Sequence, residues 1–282
     1  MYRVARTWRD RIVEAAGRLS GAGVPSPLVD AELMAAHVAG TSRGGLILAE
    51  PPDEEAAARF AQLVGQRTER VPLQYLIGVD FVGIELAVGP GVFVPRPETE
   101  LLVEWALRKL TGMTAPLVVD LCSGSGAIAV GVAANRPDAT VYAVEQSAEA
   151  LAWLRRNAEH RGVRVVAGDA TAAETLAELD GTVDVVLSNP PYVPEATAVA
   201  PEVRHDPHRA VFGGEDGLDV IRPLHRRAFD LLCPGGVFAM EHDDTHGVVV
   251  PVLLREAGWA HVREHRDLAG RARFATGVKG DA

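Results

Sequence analysis

Apolar residues recur at helical spacing in the first part of the chain and as short continuous runs from Leu117 onward. Thr7 can cap a helix that carries Trp8, Ile12, Ala16 and Leu19 on one face. Ser26-Pro27 reads as a cap followed by proline at the first helical position, and the stretch 28–38 is apolar on one side before it stops at Gly40. Asp53-Glu54-Glu55 opens a third helix with Phe60, Leu63, Val64 and Arg67 at helical spacing. These helices predict a small bundle ending near Arg70. The stretch 81–88 then reads as a strand. Gly89-Pro90-Gly91 and Val92-Phe93-Val94 follow, predicting a β-hairpin that turns at the glycines. Pro95-Arg96-Pro97-Glu98-Thr99-Glu100 leads into a helix bearing Leu101, Leu102, Trp105 and Leu110.

Beyond this point strands and helices alternate. Seven strands are expected at 117–121, 140–144, 164–167, 183–187, 236–241, 261–265 and 273–277, with helices at 128–134, 148–160, 217–232 and 248–257. The pattern is that of a doubly wound, Rossmann-like α/β domain closed by an antiparallel pair around Asp267-Leu268-Ala269-Gly270. The expected organisation is a helical domain over 1–75, a hairpin linker over 76–97 and the α/β domain over 98–282.

A chain of 282 residues with 48% hydrophobic content can build one large core and one small one. Its apolar runs are broken well short of a membrane span, and the start Met1-Tyr2-Arg3-Val4-Ala5-Arg6 lacks an apolar signal core. Two distant cysteines, Cys122 and Cys233, form neither a disulfide framework nor a zinc set, so a reducing cytoplasm is expected. The net charge of −10 argues against a protein that grips nucleic acid through many phosphates.

The chemistry gathers at strand ends. Cys122-Ser123-Gly124-Ser125-Gly126, after Asp120-Leu121, is either a tight strand–helix turn or a place where backbone N–H groups meet a ligand. Glu145 ends the second strand, where an acid takes ribose hydroxyls, although alone it reads as a solvated acid. Asp169-Ala170 follows the third strand and suits either an adenine amino group or the cap of a following helix. Asn189-Pro190-Pro191-Tyr192 ends the fourth: two prolines cannot extend a strand, and a carboxamide, a stiff carbonyl and a ring can hold a planar NH2 group. His205-x-x-His208 and the run 241–246 offer no complete ligand spacing, so no metal is expected.

The glycine turn, the acid on the second strand and Asn-Pro-Pro-Tyr together resemble class I S-adenosylmethionine-dependent methyltransferases acting on planar nitrogens. The segments 72–78, 94–100, 202–204, 213–219 and 267–271 narrow the likeness to the release-factor glutamine methyltransferase family (PrmC/HemK), over essentially the whole chain. The resemblance implies transfer of a methyl group to the N5 amide nitrogen of glutamine in the Gly-Gly-Gln motif of peptide chain release factors. It implies that Cys122, Ser123, Gly124, Ser125, Gly126, Glu145, Asp169, Ala170 and Asn189 line the cofactor. It also implies that Asn189, Pro190, Pro191 and Tyr192 hold the glutamine, with Phe93 and Arg96 as pocket walls and the helical domain recognising the protein substrate. Asn189, Pro190 and Tyr192 would be catalytic: the Asn189 oxygen and Pro190 carbonyl accept the amide hydrogens, and Tyr192 packs the amide. A monomer is expected.

Two positions depart from the family pattern. Cys122 stands where glycine is usual and is tolerated if its φ is negative, and Glu145 stands where aspartate is common. The competing readings are methylation of a ribosomal-protein glutamine, methylation of adenine N6 in nucleic acid, and a cofactor-binding protein without catalysis.

Overall fold

Capping and helix periodicity set the first unit. The computed structural model describes residues 6–280; Met1-Tyr2-Arg3-Val4-Ala5, read above as lacking a signal core, lies outside the described residues. Two compact units divide the chain: 1–78 with 200–205, and 79–199 with 206–282.

In the first unit, Thr7 and Asp10 form a reciprocal capping box at the start of α1 (Trp8–Gly21). The buried face is Trp8, Ile12, Ala15 and Leu19, one position from the expected Ala16. In α2 (Pro27–Ala39) Pro27 takes the first helical position and Gly40 closes the helix at φ 62°, but the Ser26 side chain makes no capping bond. Asp53 caps α3 (Glu54–Thr68) by accepting from the Ala56 N–H at 2.8 Å. A short α4 (Leu73–Ile77), absent from the periodicity reading, follows. Trp8 meets Phe60 edge-on at 5.7 Å, and Leu19, Met34 and Val64 complete the core.

Beside that core lies a buried ionic cluster. Arg67 donates to Asp30 at 2.8 Å, to the Val71 carbonyl at 3.1 Å and to Glu202 at 3.0 Å, while Arg70 grips Glu202 through two bonds of 2.8 and 2.7 Å. Glu202 comes from the segment 200–205, which folds with this unit although it lies between two stretches of the other.

The second unit starts with the hairpin of β1 (Val79–Phe81) and β2 (Ile84–Leu86). Its turn is Val82-Gly83, with φ of 52° and 72°, and not Gly89-Pro90-Gly91 as expected. Both central residues take the left-handed region that a tight two-residue hairpin needs. Residues 92–94 form no strand: Val92 N–H turns back to the Gly89 carbonyl at 3.4 Å and Val94 N–H donates to Asp206 at 3.3 Å. Asn157 likewise accepts from the Ala87 N–H at 2.9 Å and donates to its carbonyl at 2.8 Å. Contacts within the chain group the hairpin with this unit.

α5 (Glu100–Leu110) leads to the sheet: β3 (Leu117–Leu121), α6 (Ala127–Asn135), β4 (Thr140–Glu145), α7 (Ala148–Ala158), β5 (Val163–Ala167), β6 (Val183–Ser188), α8 (His208–Val211), α9 (Ile221–Leu231), β7 (Leu232–Glu241), α10 (Val249–Glu256), β8 (Ala260–Arg266) and β9 (Ala272–Val278). Among the described residues seven strands share one sheet in the order β5-β4-β3-β6-β7-β9-β8. The first five are parallel, and β9 runs antiparallel to both β7 and β8. Val118, Val119, Leu121, Val185, Val186 and Leu187 are wholly buried, as a parallel sheet covered on both faces requires. α9 starts four residues later than expected, since Gly217 at φ 75° keeps that stretch in a turn. The chain reverses its direction of winding between β3 and β6. The ends of these two strands therefore open the crevice where ligands of such sheets sit.

Candidate active site

The first wall of that crevice is the turn from β3 into α6. Its backbone is left-handed at Cys122 (φ 61°), Gly124 (φ 55°) and Gly126 (φ 84°). A Cβ at Gly126 would stand 2.5 Å from Leu154 Cδ1, so glycine there lets the turn pack against α7. The condition set for tolerating Cys122, a negative φ, is not met. A side chain in this conformation is strained by roughly 1–2 kcal/mol, which is the physical reason for glycine at this place. The half-buried thiol has its pKa pushed far above the ordinary range, first by burial and then by the neighbouring Glu145 and Asp120 carboxylates, which disfavours the thiolate. Cys122→Gly is expected to leave stability within about 1 kcal/mol of the parent, strain relief offsetting the looser unfolded chain. Cys122→Val is expected to lose on the order of 2 kcal/mol, because a β-branched side chain fits this region worst. Thermal unfolding of the two variants checks the pair.

Glu145 ends β4 and turns back onto this loop. Its carboxylate accepts from Gly124 N–H at 2.8 Å through one oxygen, and from Gln146 and Ser147 N–H at 2.9 and 2.8 Å through the other. The extra methylene relative to aspartate gives it this reach. Asp169 is no helix cap: it accepts from the Thr171 N–H at 2.8 Å and hydroxyl at 2.7 Å in a local turn. Ala170 beside it is buried. Glu145, Asp169, Ala170, Cys122, Ser123, Gly124, Asn189, Pro191 and Phe93 all line one crevice of about 700 Å³. Ser125 and Gly126 do not reach its wall; Ser125 offers its carbonyl to Asn157 at 2.9 Å.

Asp120 lies wholly buried at the end of β3. Its Oδ2 accepts from Ala129 N–H at 3.2 Å and its Oδ1 has no donor. Burial pushes its carboxyl from 3.8 up to about 7. Between those values the folded chain holds a proton that the unfolded chain has lost. This contribution to stability is therefore full below about pH 4 and lost as pH rises to about 7. Asp120→Asn is expected to gain stability over the parent at about pH 8 and little at about pH 4, measured by denaturant unfolding. Burial also raises Glu264 to about 7, so a residual slope in the same window remains in the variant.

Asn189-Pro190-Pro191-Tyr192 leaves β6 as the sequence implied, but its members part. Asn189 and Pro191 face the crevice; Pro190 and Tyr192 are not in its wall. Tyr192 is a correction: its hydroxyl donates to Glu241 at 2.7 Å and its ring packs on the sheet core, so it braces the loop from behind. Thr99 donates to the other oxygen of Glu241 at 2.8 Å, and Asn189 Nδ2 donates to Thr99 Oγ1 at 3.3 Å. Arg96 is also outside the wall. Its guanidinium stacks on the Phe93 ring at 4.8 Å and pairs with Asp206 at 2.7 Å, holding Phe93 in place. Sequence reasoning missed Thr99 and Glu241. Thr99 sits in the 94–100 segment that carried the resemblance, which was its one signal; Glu241 stood in the run 241–246, weighed only as a metal-ligand set.

The crevice volume falls within the about 300–1,000 Å³ that encloses a ligand of nucleoside size. Carboxylates at the ends of β4 and β5 and the apolar wall of Ile128, Val144 and Phe93 suit a ribose, an adenine ring and its amino group. Among the described residues no three His, Cys, Asp or Glu side chains gather as a metal would need, and no helix is long and apolar enough to cross a membrane.

Comparison with known proteins agrees. Residues 11–78 match the family described as PrmC N-terminal domain and residues 85–206 the family described as Methyltransferase small domain. A methyltransferase of known structure from Pyrococcus furiosus shares the fold at a TM-score of 0.51 and 21% identity, over 81% of this chain and 100% of that one. Fold and crevice together define a class I methyltransferase dependent on S-adenosylmethionine. The release factor glutamine methyltransferase of Mycolicibacterium smegmatis is 48% identical over 96% of this chain and 97% of its own length. That of Streptomyces coelicolor is 50% identical over 95% of this chain and 96% of its own. The chain belongs to the release factor glutamine methyltransferase family.

Proposed function

We propose that this chain transfers the methyl group of S-adenosylmethionine to the N5 amide nitrogen of the glutamine in the Gly-Gly-Gln motif of peptide chain release factors. The observation that carries the reading is Asn189 in the crevice wall, its Nδ2 bonded to Thr99 and its oxygen left as the acceptor end. Cys122, Ser123, Gly124, Glu145, Asp169 and Ala170 would hold the cofactor, which supplies an electrophilic methyl group on a sulfonium.

An amide nitrogen is a poor nucleophile because its lone pair is delocalised into the carbonyl. Asn189 Oδ1 accepts one of its hydrogens. It orients the nitrogen for in-line attack and favours the positive charge that develops there. The Phe93 ring, pinned by Arg96, and Pro191 wall off water. Tyr192 keeps the loop in place and does not touch the amide. The proton leaves after transfer.

The unit of 1–78 with 200–205 provides the docking surface for the release factor, as the PrmC N-terminal domain match supports. The protein acts as a monomer in the cytoplasm, without direct contact to nucleic acid. The test is incubation with labelled cofactor and separated release factors, ribosomal proteins and adenine-containing oligonucleotides, with the modified residue mapped by mass spectrometry. Label on the Gly-Gly-Gln glutamine is expected; label on another target alone overturns the reading.

A further inference from the structure

We propose that Thr99 and Glu241 are positioning residues for the transfer: they fix which end of the Asn189 carboxamide is offered to the substrate. The inference rests on the glutamine-transfer reading given above.

The argument is one of hydrogen-bond direction. Glu241 ends β7 with 1% of its surface exposed, and its two oxygens lie 2.8 Å from Thr99 Oγ1 and 2.7 Å from the Tyr192 hydroxyl. Burial raises the Glu241 carboxyl, against the hydrogen bonds from Tyr192 and Thr99 and the charge of Arg273; in its ionised form it only accepts, so each hydroxyl directs its single proton at Glu241. Toward Asn189, 3.3 Å away, Thr99 Oγ1 then has lone pairs alone. The carboxamide must meet it with its nitrogen. The opposite flip would set two acceptors face to face around a buried hydroxyl, Thr99 being 3% exposed. Asn189 is thereby left with oxygen as its acceptor end, the end an NH2 substrate needs. Three remote segments supply the parts: the turn before α5, the end of β6 with its loop, and the end of β7. A chain with Asn-Pro-Pro-Tyr alone would present a carboxamide free to flip, and half of its orientations would repel the substrate amide.

Thr99→Val keeps the shape and removes both the acceptor and the donor. It is expected to lower kcat for release-factor methylation by about 10- to 100-fold, with KM for the release factor and cofactor affinity by calorimetry within about twofold of the parent. Thr99→Ser keeps the hydroxyl and is expected to restore most of kcat. Glu241→Gln must turn its own NH2 to one of the two hydroxyls, and is expected to lose rate in the same sense. Hydrogen exchange of the Asn189 side-chain NH2 by NMR gives a readout free of turnover: slower in the parent and in Thr99→Ser, faster in Thr99→Val. Equal kcat in Thr99→Val and the parent, no rescue by Thr99→Ser, or identical Asn189 amide exchange in the parent and Thr99→Val overturns the inference. If the parent methylates no release factor, the functional reading fails by itself, and the amide-exchange comparison still decides whether this network holds Asn189.

Discussion

Asn189→Ala is expected to lower kcat by about 10²–10³ while leaving the fold and cofactor binding in place. The magnitude is that of losing one preorganised polar contact to the charge developing in a transition state. Alanine removes the acceptor that orients the substrate amide. The fold should tolerate the change. Asn189 is half-buried, its one side-chain bond among the described residues is the 3.3 Å contact to Thr99, and Thr99 keeps Glu241 as partner. A neutral bond of this kind contributes about 1 kcal/mol. KM for the release factor should change less than kcat, since docking is assigned to the unit of 1–78. Single-turnover rates with saturating cofactor, beside a calorimetric titration of the cofactor, check both halves. Near-parental turnover would remove Asn189 from the mechanism, and a variant that no longer binds cofactor would make it a structural residue.

The sheet and the strand-end residues were legible in the sequence because both are local. Strands buried on two faces are written as unbroken apolar runs such as Val118-Val119 and Val185-Val186-Leu187, and the ligand edge follows from where those runs stop. Glu145, Asp169 and Asn189 could therefore be placed on one crevice before any coordinates. What escaped is set by side chains far apart in sequence. Thr99 and Glu241 are separated by 142 positions, and no period or turn signal links them. The hairpin turn was misplaced because Gly89-Pro90-Gly91 carries stronger turn chemistry than Val82-Gly83. That chemistry serves a loop tied down by Asn157 and by the Trp153 indole, which donates to the Pro90 carbonyl at 3.1 Å. The φ of Cys122 escaped for a different reason: the turn's geometry is imposed by its glycines and by Ser123 N–H donating to the Val144 carbonyl at 2.9 Å, so a cysteine was carried into it.

Arg67→Met is the largest expected effect on stability, a loss of about 3–5 kcal/mol, because it leaves a buried carboxylate without its cation. Asp30 is 7% exposed, and Arg67 holds it at 2.8 Å. Glu202 keeps the two bonds from Arg70 and suffers less. Burial alone would raise the Glu202 carboxyl, but the hydrogen bonds from Arg70 and Arg67 outweigh it and hold the group below its ordinary 4.5. A depressed carboxyl adds stability above its unfolded pKa and loses it as pH falls through the folded one. The parent should therefore weaken in acid more steeply than Arg67→Met does. Removing the acid together with the cation, in Asp30→Leu with Arg67→Met, should recover most of the loss, since a buried pair replaced by apolar groups of similar size is near neutral. The exposed pair Arg108–Glu104 gives the contrast: breaking it should change stability by less than about 0.5 kcal/mol. Denaturant unfolding of the variants across pH measures all of these. Glu202 lies in the stretch 200–205, which folds with the helices of the first unit. A loss under about 1 kcal/mol in Arg67→Met would put this cluster with the surface pairs.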